Sequence, residues 1–239
     1  MKYVLLVAGR GTRITRNVGG IAKCLLDIKP DKKLIVNTLE QLLDYGVSPS
    51  DIMVVTGYQA GRVAQNISRF GVNITTNPFY DVTNSIASFW FIRKFINQDF
   101  IALNGDTYFE TTLLDKLHAS KSDLTLLADS SRIEDADYRL SWADGKLEKY
   151  GKELTNEETT GEYVGMAKVS GLGVTKFKSK LSELISSQKH GMWWEDVIYQ
   201  LSDDGHPVAP VDIKGNFWAE VDYIEDYQRI LQHVAKKDA

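Results

Sequence analysis

The first thirteen residues limit the possible folds more than any other stretch of the chain. Tyr3-Val4-Leu5-Leu6-Val7-Ala8 is a continuous apolar run, and Gly9-Arg10-Gly11-Thr12-Arg13 follows at once. An apolar run without polar alternation predicts a strand buried on both faces, as in parallel sheets covered by helices. The basic, glycine-punctuated loop at its carboxyl end, with Lys23 ten residues beyond Arg13, has the chemistry to hold phosphate. Glycine opens backbone N–H groups to close approach, arginine presents a planar fork of donors, and lysine adds a point charge. A strand followed by an ordinary basic turn is the plainer alternative. Two better-known phosphate loops are excluded. The dinucleotide fingerprint needs glycine where Ile14 stands, and the P-loop needs Gly-Lys-Ser/Thr where the chain continues Ile14-Thr15.

The first half of the chain continues as alternating strands and helices. Leu34–Tyr45 has helical spacing and a stop at Gly46; Asp51–Thr56 is a second buried strand; Ala60–Phe70 is a helix stopped by Gly71. A short strand at Val72–Thr76, a helix over Asn84–Phe95 and a strong strand at Asp99–Leu103 follow. This order predicts an α/β fold, a single Rossmann-like domain whose mixed, mainly parallel sheet is flanked by helices. Ligands of such sheets bind beyond the carboxyl ends of the strands. Gly9–Arg13, Gly57-Tyr58 and Asn104-Gly105-Asp106 all lie at such ends, so three separate loops converge on one rim.

The second half reads as strands Leu124–Asp129 and Leu140–Ala143, a hairpin turn at Asp144-Gly145, and strands Leu147–Tyr150 and Tyr163–Val169. Helices are expected at Ser179–Gln188, Trp193–Leu201 and Ile224–Ala235, with a strand at Val208–Asp212 between them. No linker, repeat or low-complexity tract interrupts the chain, so 1–239 is expected to form one domain. Residues 1–120 or so would bind nucleotide, and about 121–239 an acceptor.

Composition narrows the partners. The 239 residues are 43% apolar and 25% charged with a net charge of −4, which argues against a nucleic-acid surface. No apolar stretch approaches the roughly 20 residues needed to span a bilayer, so the expected partners include neither nucleic acid nor membrane, and the expected location is the cytoplasm. The oligomeric state stays open, a homodimer included. Cys24 is the single cysteine and the four histidines are scattered, so any metal must be held by carboxylates, which favours Mg²⁺.

Asp106 closes an apolar strand at the expected rim, where a carboxylate can hold Mg²⁺ against phosphates; a turn or cap aspartate is the competing role. Asp222, in Trp218-Ala219-Glu220-Val221-Asp222-Tyr223, is the natural second ligand, with an N-cap of the following helix as its alternative. Lys149 and Lys152 suit an acceptor phosphate or a solvated basic turn. Trp193-Trp194-Glu195-Asp196 suits a pocket for a cationic amine, or core packing plus an interface tryptophan. Asn84, Ser85 and Ser88 could reach a base or ribose, or only start a helix.

These residues resemble a family. Val7-Ala8-Gly9-x-Gly11-x-Arg13 followed by Lys23 is similar to the signature loop of nucleotidyltransferases that activate phosphorylated small molecules. Asn104-Gly105-Asp106 resembles their first metal-binding aspartate, and Asp222, between Glu220 and Asp226, their second. The likeness covers essentially the whole chain. Gly57-Tyr58, Asn77-Pro78-Phe79-Tyr80, Thr83-Asn84, Ser88, Glu162-Tyr163-Val164-Gly165 and Trp194-Glu195-Asp196 are similar to one subgroup, the CTP-using cytidylyltransferases. Those act on phosphocholine, 2-aminoethylphosphonate and related phosphorylated amines or amino acids, for cell-surface polysaccharide or phosphonate conjugates.

The resemblance implies a nucleotide-diphospho-sugar transferase-like fold and Mg²⁺-dependent transfer of CMP from CTP. Arg13 and Lys23 would be catalytic, with Asp106 and Asp222 on the metal. Ala8, Gly9, Gly11, Gly57, Asn84 and Ser88 would bind nucleotide, and Lys149, Glu162, Trp194 and Glu195 the acceptor. Two positions depart from the pattern: Ala22 stands where the family has proline before the lysine, and Val7 replaces an alanine. A sugar-1-phosphate nucleotidyltransferase using UTP or dTTP is the alternative within the class. A non-catalytic nucleotide sensor is the alternative outside it.

Overall fold

The computed structural model describes residues 1–15 and 18–237. Strand β1 (Lys2–Val7) runs into the glycine loop and the single turn α1 (Thr12–Thr15). A 3₁₀ turn at Lys23–Leu25 leads to the small hairpin β2 (Asp27–Lys29) and β3 (Lys32–Lys33) and to α2 (Leu34–Asp44). Then come β4 (Ile52–Thr56), α3 (Ala60–Ile67), β5 (Asn73–Thr76), α4 (Ser85–Phe91) and β6 (Phe100–Asn104). The second half comprises β7 (Thr107–Phe109), α5 (Thr112–Ala119), β8 (Leu124–Asp129), β9 (Arg139–Ala143), β10 (Lys146–Gly151) and β11 (Gly161–Val169). It closes with α6 (Leu172–Ser186), α7 (Asp196–Asp203), β12 (Ala209–Asp212), β13 (Trp218–Glu220) and α8 (Ile224–Lys237).

The main sheet has the order β10-β9-β11-β6-β1-β4-β5, with β8 also on β11 and β12 beside β8. Strands β6, β1, β4 and β5 are parallel, and β11 turns the sheet antiparallel where it meets β6. Every residue of β4 and β11 is buried, as the unbroken apolar runs require of strands covered on both faces. Three apolar clusters fill the two faces and the seat of α8. One holds the aromatic group Phe89, Phe100, Phe177 and Trp194, whose ring centroids lie 5.2–5.8 Å apart where they pair.

The structure departs from the sequence expectation in several places. Helix α4 stops at Phe91 instead of Phe95, continuing only as tight turns in which Ile92 and Phe95 donate three residues back. Helix α6 begins at Leu172, where Gly171 at φ +53 opens it, and Val174, Phe177, Leu181 and Leu184 form its buried stripe. Trp193 and Trp194 precede α7, and the Trp193 N–H donates to Asp196 at 2.8 Å. Strand β7 and helix α5 were not expected, and β7 pairs with β13.

Candidate active site

Parallel pairing of β1 with β6 places the glycine loop and the Asn104-Gly105-Asp106 turn side by side at the same edge. The β7–β13 ladder then brings in the far end of the chain. Thr107 pairs with Glu220, and Val221 N–H donates to Asp106 O at 3.0 Å, so Asp106 and Asp222 emerge together. Lys23 Nζ lies between them, 2.9 Å from Asp106 Oδ2 and 2.6 Å from Asp222 Oδ1. Arg13 holds the other oxygen of Asp222 at 3.0 Å and sits over the Tyr223 ring. Both carboxylate oxygens of Asp222 are engaged by Lys23 and Arg13, while Asp226 accepts the N–H groups of Asp222 and Tyr223 ahead of α8. Gly11 has φ +62, and a Cβ there would lie 2.7 Å from the Lys23 stem. Its glycine thus gives Lys23 a path to the carboxylates.

The electrostatics follow from this crowding. Burial works against the Lys23 ammonium, but Asp106 and Asp222 outweigh it and raise its pKa above the usual lysine range. Burial, reinforced by Asp106 and Asp222, pushes the neighbouring Glu220 carboxyl well above the ordinary range. The two aspartates already direct one oxygen each at a single cationic centre. Among the described residues no group of three or more His, Cys, Asp or Glu side chains forms a metal cage. Mg²⁺ fits such a donor set, because it uses one or two carboxylates and keeps the rest of its sphere for water and phosphate oxygens.

A cavity of about 280 Å³ opens beside this cluster. Ala8, Gly9, Gly11, Arg13, Lys23, Asn84, Ser88, Asp106, Glu195 and Asp222, all expected from the sequence, line it. On one side Asn84 caps α4 by accepting the Ser85 N–H at 2.8 Å, and Ser88 accepts from Asn77 Nδ2 at 3.2 Å. Asn77 is 1% exposed and also holds Thr83 and the Phe79 N–H, which fixes the loop walling that side.

Four expected residues are not on the cavity. Gly57 lies beneath Ala8, where a Cβ would come within 2.7 Å of the Ala8 carbonyl oxygen; it serves packing. Lys149 points to solvent and pairs with Glu158 at 2.7 Å. Lys152, just past the end of β10, lines the cavity and pairs with Asp137 at 2.9 Å. Glu162 is buried against Arg132 and lines a smaller neighbouring cavity of about 90 Å³, while the next residue of β11, Tyr163, faces the main one. Trp194 is wholly buried on Phe89; Trp193, 46% exposed, stands at the cavity instead. Asp137, Tyr138, Tyr199 and Glu220 line the cavity without having been expected there. Asn104 lines it too, in keeping with the rim expected at Asn104-Gly105-Asp106.

The far end of the cavity is aromatic and acidic. Glu195 is 7% exposed; its Oε1 accepts from Asn104 Nδ2 at 3.1 Å, and Asn104 Oδ1 accepts from Trp194 Nε1 at 2.9 Å. Burial drives the Glu195 pKa up to about 8 despite the Asn104 hydrogen bond. Tyr199 is sandwiched between Tyr138 and Tyr150, with centroids at 5.3 and 4.4 Å.

Residues 3–208 match the MobA-like NTP transferase domain. The chain belongs to that family. Among MobA-like relatives, the CMP-5′-(3-aminopropyl)phosphonate synthase of Streptomyces rubellomurinus is 25% identical over 93% of this chain. The match spans 37% of that longer protein. The MobA-like domain also superimposes on the CTP:phosphocholine cytidylyltransferase of Streptococcus pneumoniae with a TM-score of 0.77 at 18% identity, covering 98% of both chains. The inositol-1-phosphate CTP transferase of T. maritima gives 0.77 at 18% identity, over 98% of this chain and 95% of that one. A UDP-glucose pyrophosphorylase gives 0.72 at 15% identity, over 99% and 98%. At such identities these structures establish the fold. Among the described residues no helix is long and apolar enough to cross a membrane.

Proposed function

We propose that this protein transfers CMP from CTP to a small phosphorylated or phosphonate acceptor and releases pyrophosphate. One observation carries the reading: Lys23 bridges Asp106 and Asp222 where the glycine loop opens into a cavity with an aromatic, acidic far end. An oxygen of the acceptor's phosphoryl or phosphonyl group attacks the α-phosphorus in line. A new P–O bond forms there while the bond to the β-phosphate oxygen breaks, and pyrophosphate leaves with that electron pair. No covalent enzyme nucleophile is needed, so catalysis consists of positioning and charge stabilisation.

The glycine-loop amides cradle the phosphates, Arg13 neutralises the departing pyrophosphate, and Lys23 meets the charge growing on the α-phosphate. Asn84 and Ser88 face the base and ribose. Asp106 and Asp222 would hold Mg²⁺, which when bound neutralises phosphate charge and orients the triphosphate. Support for a cytidylyltransferase subtype comes from the Streptomyces relative and the pneumococcal fold neighbour. The fold is also that of a UDP-glucose pyrophosphorylase, which keeps sugar-phosphate transfer as the second reading.

The test is pyrophosphate release with CTP, UTP and dTTP, with and without Mg²⁺, across phosphocholine, 2-aminoethylphosphonate, phosphoserine and glucose-1-phosphate. Mg²⁺-dependent release with CTP and an amine-bearing acceptor is expected. Release only with glucose-1-phosphate would transfer the assignment to the second reading. CTP binding without release from any acceptor would favour a nucleotide sensor.

A further inference from the structure

The placement of Lys23 governs the rate under the CMP-transfer reading, on which this inference rests. Gln59 stands between β4 and α3 with φ +53 and ψ +33, in the left-handed region. A non-glycine residue is uncommon there and persists only where its surroundings hold it. Among the described residues three others share a positive φ. Asp31 and Asp144 sit in the turns of the β2–β3 and β9–β10 hairpins, and Gln188 follows the end of α6. Gln59 is in no such turn, and its side chain does not cap its own helix, the ordinary task at that position. It reaches instead to the segment that leads from the glycine loop to Lys23. Its Oε1 accepts the Ala22 N–H at 3.1 Å, and its Nε2 donates to the Gly20 carbonyl at 2.9 Å. Arg62, one turn along α3, also donates to Oε1 at 3.2 Å and fixes the amide's orientation. The Tyr58 hydroxyl donates to the same Gly20 carbonyl at 2.8 Å, and the Tyr58 N–H to the Ala8 carbonyl at 2.9 Å. One dipeptide thus holds both the departing and the returning arm of the loop.

We propose that Gln59 is a positioning residue for Lys23, doing with its amide what a proline at position 22 would do with its ring. Ala22 is 1% exposed and has φ −60 and ψ 135, inside the range that a proline ring imposes. Alanine leaves φ free to rotate, so something else must hold it, and the Gln59 amide grips that peptide from the side. Ala22 is also one of the two positions where the chain departs from the family pattern, which has proline there. The turn that carries Lys23 starts at this residue, since the Ala22 carbonyl accepts the Leu25 N–H at 2.8 Å. Any shift of Ala22 therefore passes to Lys23, whose ammonium meets Asp106 and Asp222 at 2.9 and 2.6 Å. The two devices exclude each other. A proline ring would put a carbon where the Ala22 N–H now points, against Gln59 Oε1, and would take away that oxygen's backbone donor.

The test is a set of variants read by pyrophosphate release and by thiol labelling. Gln59→Ala should lower kcat by about 10-fold or more, the cost of a misplaced catalytic group, and leave the acceptor's KM within about twofold. Ala22→Pro alone should also lower kcat, whereas Ala22→Pro added to Gln59→Ala should restore most of what was lost. In a Lys23→Ala background Gln59→Ala should change kcat by less than about twofold, because the residue through which it acts is gone. The thiol of Cys24, buried beside Lys23, gives a readout that needs no turnover. Its labelling by a thiol reagent in native buffer should be about 10-fold faster in Gln59→Ala and slow again in the double variant, as local opening follows the lost hydrogen bonds. A Gln59→Ala loss of equal size with and without Lys23 would overturn the positioning role while leaving CMP transfer intact. So would Ala22→Pro being equally harmful with and without Gln59. No release by the native chain from any acceptor would overturn the transfer reading. The hold of Gln59 on the loop would then stand on faster Cys24 labelling that Ala22→Pro reverses, and would fall if labelling did not change.

Discussion

Replacing Glu195 with glutamine should make the folded protein more stable as the pH rises. The carboxyl is 7% exposed, and burial lifts its pKa from 4.5 to about 8. Between those two values the folded chain keeps a proton that the unfolded chain has released. Stability therefore falls as pH rises through the window, and is unaffected by this group below it. Each pH unit inside the window is worth about 1.4 kcal/mol. The cost is about 2 kcal/mol at pH 6, and reaches a ceiling of about 4 to 5 kcal/mol above pH 8.

Glutamine keeps the shape and the oxygen that accepts from Asn104, and has no proton to lose, so the cost disappears. Urea unfolding of both proteins at pH 5, 6, 7, 8 and 9, followed by tryptophan fluorescence, measures the difference. The variant's advantage should grow between pH 5 and pH 8 and then level off. Glu220 is also held protonated by burial and by Asp106 and Asp222, but it titrates in both proteins and largely cancels. A difference that stays flat from pH 5 to 9 would refute the argument that Glu195 is buried without a compensating charge.

Three further outcomes test the cluster around Lys23 and the support beneath Glu195. Lys23→Ala and Asp106→Ala should each lower kcat by at least about 10²-fold, the scale of losing one transition-state contact; near-native turnover in either would remove its assigned role. Lys23→Ala also strips the shared cation from Asp106 and Asp222, so its melting temperature should respond to Mg²⁺ more strongly than that of the native chain. An equal response would contradict competition for the same carboxylates. Trp194→Ala should cost about 3–5 kcal/mol of stability in denaturant titration, as loss of a wholly buried aromatic does. A loss under about 1 kcal/mol would mean that Trp194 is not the packed anchor of the Asn104–Glu195 chain.

The residues legible in the sequence share a property: local chain geometry alone settles where they go. An apolar strand that ends in glycine puts Gly9, Gly11 and Arg13 at the carboxyl edge of a parallel sheet, and the same logic delivers Asp106 at the end of β6. Face assignments within the second half needed more. Glu162 and Tyr163 are neighbours on β11, so a reading one residue off exchanges the wall of the main cavity for that of the smaller one beside it. Of the two lysines expected near the acceptor, Lys149 pairs with Glu158 away from the cavity and Lys152, past the end of β10, lines it. Trp193 and Trp194 were expected on a helix; both precede α7, where the Trp193 N–H donates to Asp196, and it is the Trp194 ring that is buried.

The β7–β13 ladder explains why the site exists at all. Each strand is three residues long and pairs across more than a hundred positions of chain. Neither carries enough periodic signal to be read alone. The sequence could therefore name Asp222 as the second ligand beside Asp106, but not the contacts that bring the two together. That partnership comes from the Thr107–Glu220 pairing and the Val221 N–H to Asp106 O bond, and Lys23 then joins the two carboxylates. Chemistry that needs two carboxylates on one cation thus depends on the least conspicuous strands in the molecule. Single substitutions in β7 or β13 that leave both aspartates untouched should impair the site as surely as changing either one.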